Sequence, residues 1–96
     1  MEHILIEKIK ETDDMWQFGV HVGEGERSTH HVVDIDKNFL ENLSTKAISP
    51  EALVKISFEF LLQKESKESI LKNFNIEIIS TYFPEYEEEI KKEIGK

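Results

Sequence analysis

Residues 52–62 read Ala-Leu-Val-Lys-Ile-Ser-Phe-Glu-Phe-Leu-Leu, and no other stretch of the chain constrains its fold so tightly. At 100° per residue the apolar side chains form two stripes. Leu53, Ile56 and Phe60 make one, and Val54, Phe58, Leu61 and Leu62 make the other, with only Ser57 and Lys64 between them. A surface helix needs a single apolar stripe, so this segment must be packed on two flanks. Val54, Ile56, Phe58, Phe60 and Leu62 also alternate, which taken alone would suit a strand. The preceding Ser49-Pro50-Glu51 decides for a helix. It supplies a capping hydroxyl, a proline where the missing N–H costs nothing, and an acid in the positive first turn. One stripe is expected on a sheet, and the other on later helices or a second subunit.

The first third of the chain has a different period. Residues 3–10 are β-prone and run into the turn-like cluster Glu11-Thr12-Asp13-Asp14. Trp16, Phe18, Val20 and Val22 then alternate with Gln17, Gly19 and His21, the pattern of a half-buried strand. Gly23-Glu24-Gly25-Glu26 breaks this run, after which Thr29, His31, Val33 and Ile35 alternate with His30, Val32 and Asp34. The pattern predicts a three-stranded antiparallel meander, its second and third strands joined as a hairpin. Trp16, Phe18, Val20, Val33 and Ile35 should form its covered face.

Asp36 suits the cap of a helix from Lys37, with Phe39, Leu40 and Leu43 at helical spacing, before residues 44–46 loosen the chain. Beyond the central helix, Ser66-Lys67-Glu68-Ser69 opens a short helix with Ile70, Leu71 and Phe74 inward. Asn75 caps another, in which Ile76, Ile78, Ile79, Tyr82 and Phe83 cover one side. Pro84 starts a last helix, where Tyr86, Ile90 and Ile94 recur every four residues. The fold expected is therefore α+β in a single domain, residues 1–96. A three-stranded meander over residues 1–36 is followed by four to five helices over residues 37–96, packed on one face of it.

Composition narrows the function classes. Hydrophobic residues at 39% describe a globular chain, not a disordered one. There is no cysteine, hence no disulfide, thiolate nucleophile or Cys-bound metal. The apolar run near the N-terminus is shorter than the about 7–15 residues of a secretory signal, and nothing approaches the ~20 of a membrane span, so a cytoplasmic location off the membrane is expected. Net charge is −8, from 20 acids and 12 bases, and Arg27 is the only arginine. Nucleic-acid affinity comes largely from Lys and Arg displacing phosphate counterions, so no direct binding to nucleic acid is expected.

Candidate chemistry starts with histidine. If Phe18, Val20, Val33 and Ile35 face the core, His21 and His30 point outward as cross-strand neighbours, and His31 points to the opposite face. A metal ion held by His21 and His30 would need a third ligand, Asp34 or His3, and nothing at metal-ligand spacing supplies one. No metal or other cofactor is expected, and a solvated imidazole pair is the plainer reading. The Gly23–Glu26 turn puts two glutamates where a phosphate loop would exclude acids, so a hairpin explains its glycines. Ser44, Ser49, Ser66 and Ser69 sit at caps and turns, and the acids of residues 85–89 lie on a charged helix face, so no catalytic residue emerges.

The stretches Ser49-Pro50-Glu51-Ala52-Leu53-Val54, Ser57-Phe58-Glu59-Phe60-Leu61-Leu62, Lys67-Glu68-Ser69-Ile70-Leu71 and Tyr82-Phe83-Pro84-Glu85-Tyr86-Glu87 together resemble a small family of uncharacterised prokaryotic proteins. The resemblance covers about the second half of the chain, implies the helix order and implies no activity. The order of sheet and helices is also similar to that of small antitoxin-like regulators, an analogy of fold alone. The reading preferred is a non-enzymatic interaction or regulatory module that self-associates or binds a protein partner through Val54, Phe58, Leu61 and Leu62. A small metal-dependent hydrolase built on His21 and His30, and an acidic antitoxin-like partner of a basic protein, are the alternatives.

Overall fold

The structure, a computed structural model, describes residues 2–43 and 48–95, so the loosening expected at residues 44–46 lies outside them. Strands β1 (Ile4–Glu11), β2 (Met15–Val22) and β3 (Thr29–Asp36) form the expected antiparallel meander, with Trp16 opposite Ile35 and Phe18 opposite Val33. Phe18, Val20, Val33 and Ile35 are buried and Trp16 packs half-buried beside them, its ring covered by the Lys37 ammonium 5.1 Å from the centroid. Gly23 (φ 92°) and Gly25 (φ 66°) take left-handed backbone in the connection between β2 and β3, which requires their lack of a side chain. In β1 the register slips between Lys8 and Lys10, leaving Ile9 as an unpaired bulge residue whose side chain lies over Gly19.

Helix α1 (Lys37–Leu43) leads to the central helix α2 (Pro50–Lys64), which begins as expected: the Ser49 hydroxyl accepts the Ala52 amide at 3.1 Å, with Pro50 in the first turn. Both flanks of α2 are covered within one chain. Phe58 stacks between His31 of β3 (ring centroids 5.4 Å) and Phe74 (6.1 Å), which is the sheet side. Phe60 meets Phe83 and Tyr86 in edge-to-face contacts at 5.9 and 5.4 Å, which is the side of the last helix, α4 (Tyr86–Ile94). Ser57, which falls between the stripes, is fully buried, and its hydroxyl shares a 2.6 Å hydrogen bond with the Tyr86 hydroxyl. Burial pushes the Tyr86 phenol far above its ordinary range, so it stays neutral.

Two expectations are corrected downstream of α2. The segment expected as a helix from Ser66 is one 3-10 turn, Lys67–Ser69, followed by a fourth strand β4 (Asn73–Asn75) parallel to β3. The sheet is therefore mixed and four-stranded, in the order β1-β2-β3-β4. The reason is tertiary: the outer edge of β3 carries N–H and C=O groups that need partners, and the Val32 amide donates to Lys72 carbonyl at 2.7 Å. Ile70 and Phe74 are buried as expected, but Leu71 is exposed.

The helix expected from Asn75 likewise starts as a 3-10 turn, Ile76–Ile78, with the Asn75 side chain accepting the Glu77 amide, before the single-turn α3 (Ile79–Tyr82). Three residues per turn put Ile76 and Ile79 inward. Ile78 and Tyr82, expected inside, are left outside.

Replacing Tyr86 by Phe leaves the buried Ser57 hydroxyl without its partner and should lower the unfolding free energy by roughly 1–3 kcal/mol. Adding Ser57→Ala should recover part of that loss, since an apolar pair leaves nothing unsatisfied. Urea denaturation of the two variants checks both outcomes, and equal stability of Tyr86→Phe and wild type would contradict the pairing.

Candidate functional site

Histidine geometry follows the strand register. His21 on β2 stands opposite His30 on β3, and the two rings meet edge to face with centroids 4.2 Å apart on the uncovered side of the sheet. Asp34 is four residues further along β3, about 13 Å away at strand rise, and its carboxylate accepts from Gln17 Nε2 at 2.9 Å. His21 and His30 thus come together while Asp34 does not join them, and among the described residues no group of three His, Asp or Glu side chains is placed to hold a metal ion. His31 points the other way and is 2% exposed. Its Nδ1 lies 2.8 Å from the Leu71 carbonyl, which can only accept, so Nδ1 carries the hydrogen and Nε2 accepts from the Thr29 hydroxyl, also at 2.8 Å. The ring ties β3 to the segment that leads into β4.

The surface residues expected on α2 are not on the surface. Val54, Phe58 and Leu61 are buried in the core of one chain, and Leu62 packs half-buried against it. Exposed apolar residues lie elsewhere: Leu5 and Ile9 on β1, and Leu71 (45%), Ile78 (36%) and Tyr82 (62%) around a groove. This groove, of about 200 Å³, runs between the C-terminal end of α2, the 69–71 segment, β4 and α3. Leu61, Ile70, Phe74 and Phe83 form its floor and walls, and Glu65 stands at its edge. It exists because the 3-10 turn leaves Ile78 outside, Tyr82 follows on the same side one turn later in α3, and the non-helical segment leading into β4 leaves Leu71 outward. Neither effect is visible in helical periodicity. The clue available in the sequence was a surplus of large apolar residues over residues 70–83 compared with what two short elements can bury.

Acids dominate the surroundings. Burial, then the neighbouring Asp36 and Glu87 carboxylates, hold the Glu77 carboxyl above its ordinary range. The Glu87 carboxylate also accepts from the Ser80 hydroxyl at 3.1 Å. Beyond the groove, Lys64 pairs with Glu85 at 3.2 Å, and its ammonium lies 5.2 Å from the Phe60 ring centroid.

No helix of the described residues is long and apolar enough to cross a membrane. Comparison of the chain with models of known protein families, with curated proteins and with solved structures returns no match.

Two pH effects follow. Burial holds the His31 imidazole below its ordinary value of 6.5, against the pull of the Leu71 carbonyl and with help from His30, Lys72 and His21. Below that value the unfolded chain takes up a proton that the folded one refuses, so stability held above about pH 6.5 is lost as the pH falls toward the folded value. Chemical denaturation from about pH 7.5 to about pH 5 should show this loss, and His31→Gln should flatten it while lowering stability throughout. An unchanged slope in the variant would contradict the assignment. For Glu77 the sign is opposite: its raised value means that the ionised form costs stability at neutral pH and the cost disappears on acidification. Glu77→Gln should therefore stabilise by roughly 0.2–1 kcal/mol at neutral pH and by nothing in strong acid.

Proposed function

We propose that the chain is a non-enzymatic protein-interaction module whose contact surface is the groove rimmed by Leu71, Ile78 and Tyr82. The observation that carries this reading is the grouping of these three large apolar side chains at the edge of a single concavity with an apolar floor. Singly exposed apolar residues are ordinary, but several grouped at a concavity are typical of binding surfaces. A cavity of ~150 Å³ admits a benzene ring, so this one has room for one aromatic or branched aliphatic side chain from a partner. Self-association through Val54, Phe58, Leu61 and Leu62, the motive suggested by the sequence, is not retained, because the first three fill the core of one chain and Leu62 packs half-buried against it.

The hydrolase reading lacks a supporting constellation. His21 and His30 lie on an uncovered sheet face, and among the described residues no third side chain joins them to hold a metal ion. Of the described serines, Ser57 is committed to Tyr86 in the core and Ser49 to the cap of α2.

A photo-crosslinking amino acid placed at Tyr82, and at Thr12 in the distant β1–β2 turn as control, tests the reading in cells that naturally make the protein. The same discrete protein adduct should form from position 82 and not from position 12. Equal capture at both positions, or none at 82, would contradict a docking groove.

A further inference from the structure

The groove does not stand alone. A second cavity, of about 240 Å³, lies between α2 and α4, with a floor of Ile56, Phe60 and Ile90 and a rim of Glu59, Glu89 and Glu93. The two adjoin: Phe83 lines the first, Phe60 lines the second, and their rings touch edge to face at 5.9 Å. Passing from one to the other, the surface changes from apolar to an apolar floor edged by carboxylates.

Charge selects what can lie across both. Neither Glu59 at the second cavity nor Glu65 at the first joins an ion pair among the described residues, while Glu89 pairs with Lys92 at 3.6 Å. The molecule already shows how a cation sits at this place. Lys64 rests its ammonium above the Phe60 ring, 5.2 Å from the centroid, while pairing with Glu85 at 3.2 Å. A second copy of the chain, at net charge −8, would bring more carboxylates to the same surface, and nucleic acid or an anionic membrane would bring phosphates.

Resting on the docking reading above, we infer that the occupant is a segment of a basic protein that inserts one bulky apolar side chain between Leu71, Ile78 and Tyr82 and lays neighbouring Lys or Arg side chains over Phe60 among Glu59, Glu89 and Glu93. The apolar anchor supplies affinity by leaving water, the carboxylates supply orientation and on-rate, and the aliphatic stems of Lys or Arg cover the Phe60 floor.

Selection from a displayed library of random peptides of about nine residues, followed by fluorescence anisotropy on the selected peptides, tests both layers of this inference. Enriched sequences should carry Leu, Ile, Phe or Trp beside two or more Lys or Arg. Their affinity should fall about tenfold or more in Leu71→Asp, which alters an exposed residue, and about threefold to tenfold in the double variant Glu59→Gln/Glu89→Gln. That second loss should shrink as salt rises, since the Debye length drops to ~3 Å at 1 M. Enrichment of apolar peptides with neutral or acidic flanks would overturn the basic occupant and leave the docking groove standing. Basic peptides that bind Leu71→Asp as well as wild type would overturn the anchor, and with it the groove. No enrichment at all would overturn both.

Discussion

A helix whose apolar side chains occupy most of its circumference cannot sit at a surface, and the rest of this molecule is arranged around that restriction. The sheet takes one flank of α2 through Phe58, His31 and Phe74, and Phe83 with α4 takes the other through Phe60 and Tyr86. Between the two flanks the buried polar side chain of α2 is Ser57, and it is given a partner, the Tyr86 hydroxyl, so among the described residues burial leaves no side-chain polar atom unsatisfied. The thin terminal part of the chain, from Asn75 to Gly95, is best understood as the second lid on α2. Its short 3-10 and α turns serve to bring Ile76, Ile79, Tyr86 and Ile90 down onto the core.

The first three strands and the two longest helices could be read from the sequence because each is specified locally. β2 and β3 alternate strictly, α2 carries Ser49-Pro50 at its start, and α4 repeats Tyr86, Ile90 and Ile94 at one-turn spacing. Even the cross-strand meeting of His21 and His30 follows once the hairpin turn is placed near Gly25. What could not be read is β4. Three residues, Asn73-Phe74-Asn75, have too little pattern to specify a strand, and they become one because the edge of β3 needs hydrogen-bond partners that no nearby sequence advertises. Their parallel pairing is a property of the assembled sheet.

The candidate site was hidden for the same reason. An apolar residue looks equally suited to the core whether its element is α, 3-10 or extended, so Leu71, Ile78 and Tyr82 were indistinguishable by composition from Ile70, Ile79 and Phe83. Local geometry separates them, and that geometry follows from the tertiary demand on β3 and α2. The sequence did point to surplus apolar surface, but located it on α2, where both flanks turn out to be internal. The acidic balance was legible from composition, while the juxtaposition of apolar groove and carboxylate-edged cavity depends on Phe60 and Phe83 meeting across two elements far apart in the chain.

The central claim is that one chain alone closes over both flanks of α2 while leaving the Leu71 edge open. The absence of native cysteine makes thiol labelling a direct test, since each variant carries one reporter. Single variants Ser57→Cys, Val54→Cys and Leu71→Cys would be treated with a small aromatic disulfide reagent at a concentration where sedimentation shows a single copy. Cys at position 71 should react as fast as a free thiol, and positions 54 and 57 only as fast as the protein unfolds. Rapid labelling at 54 or 57 in the folded monomer would contradict the claim.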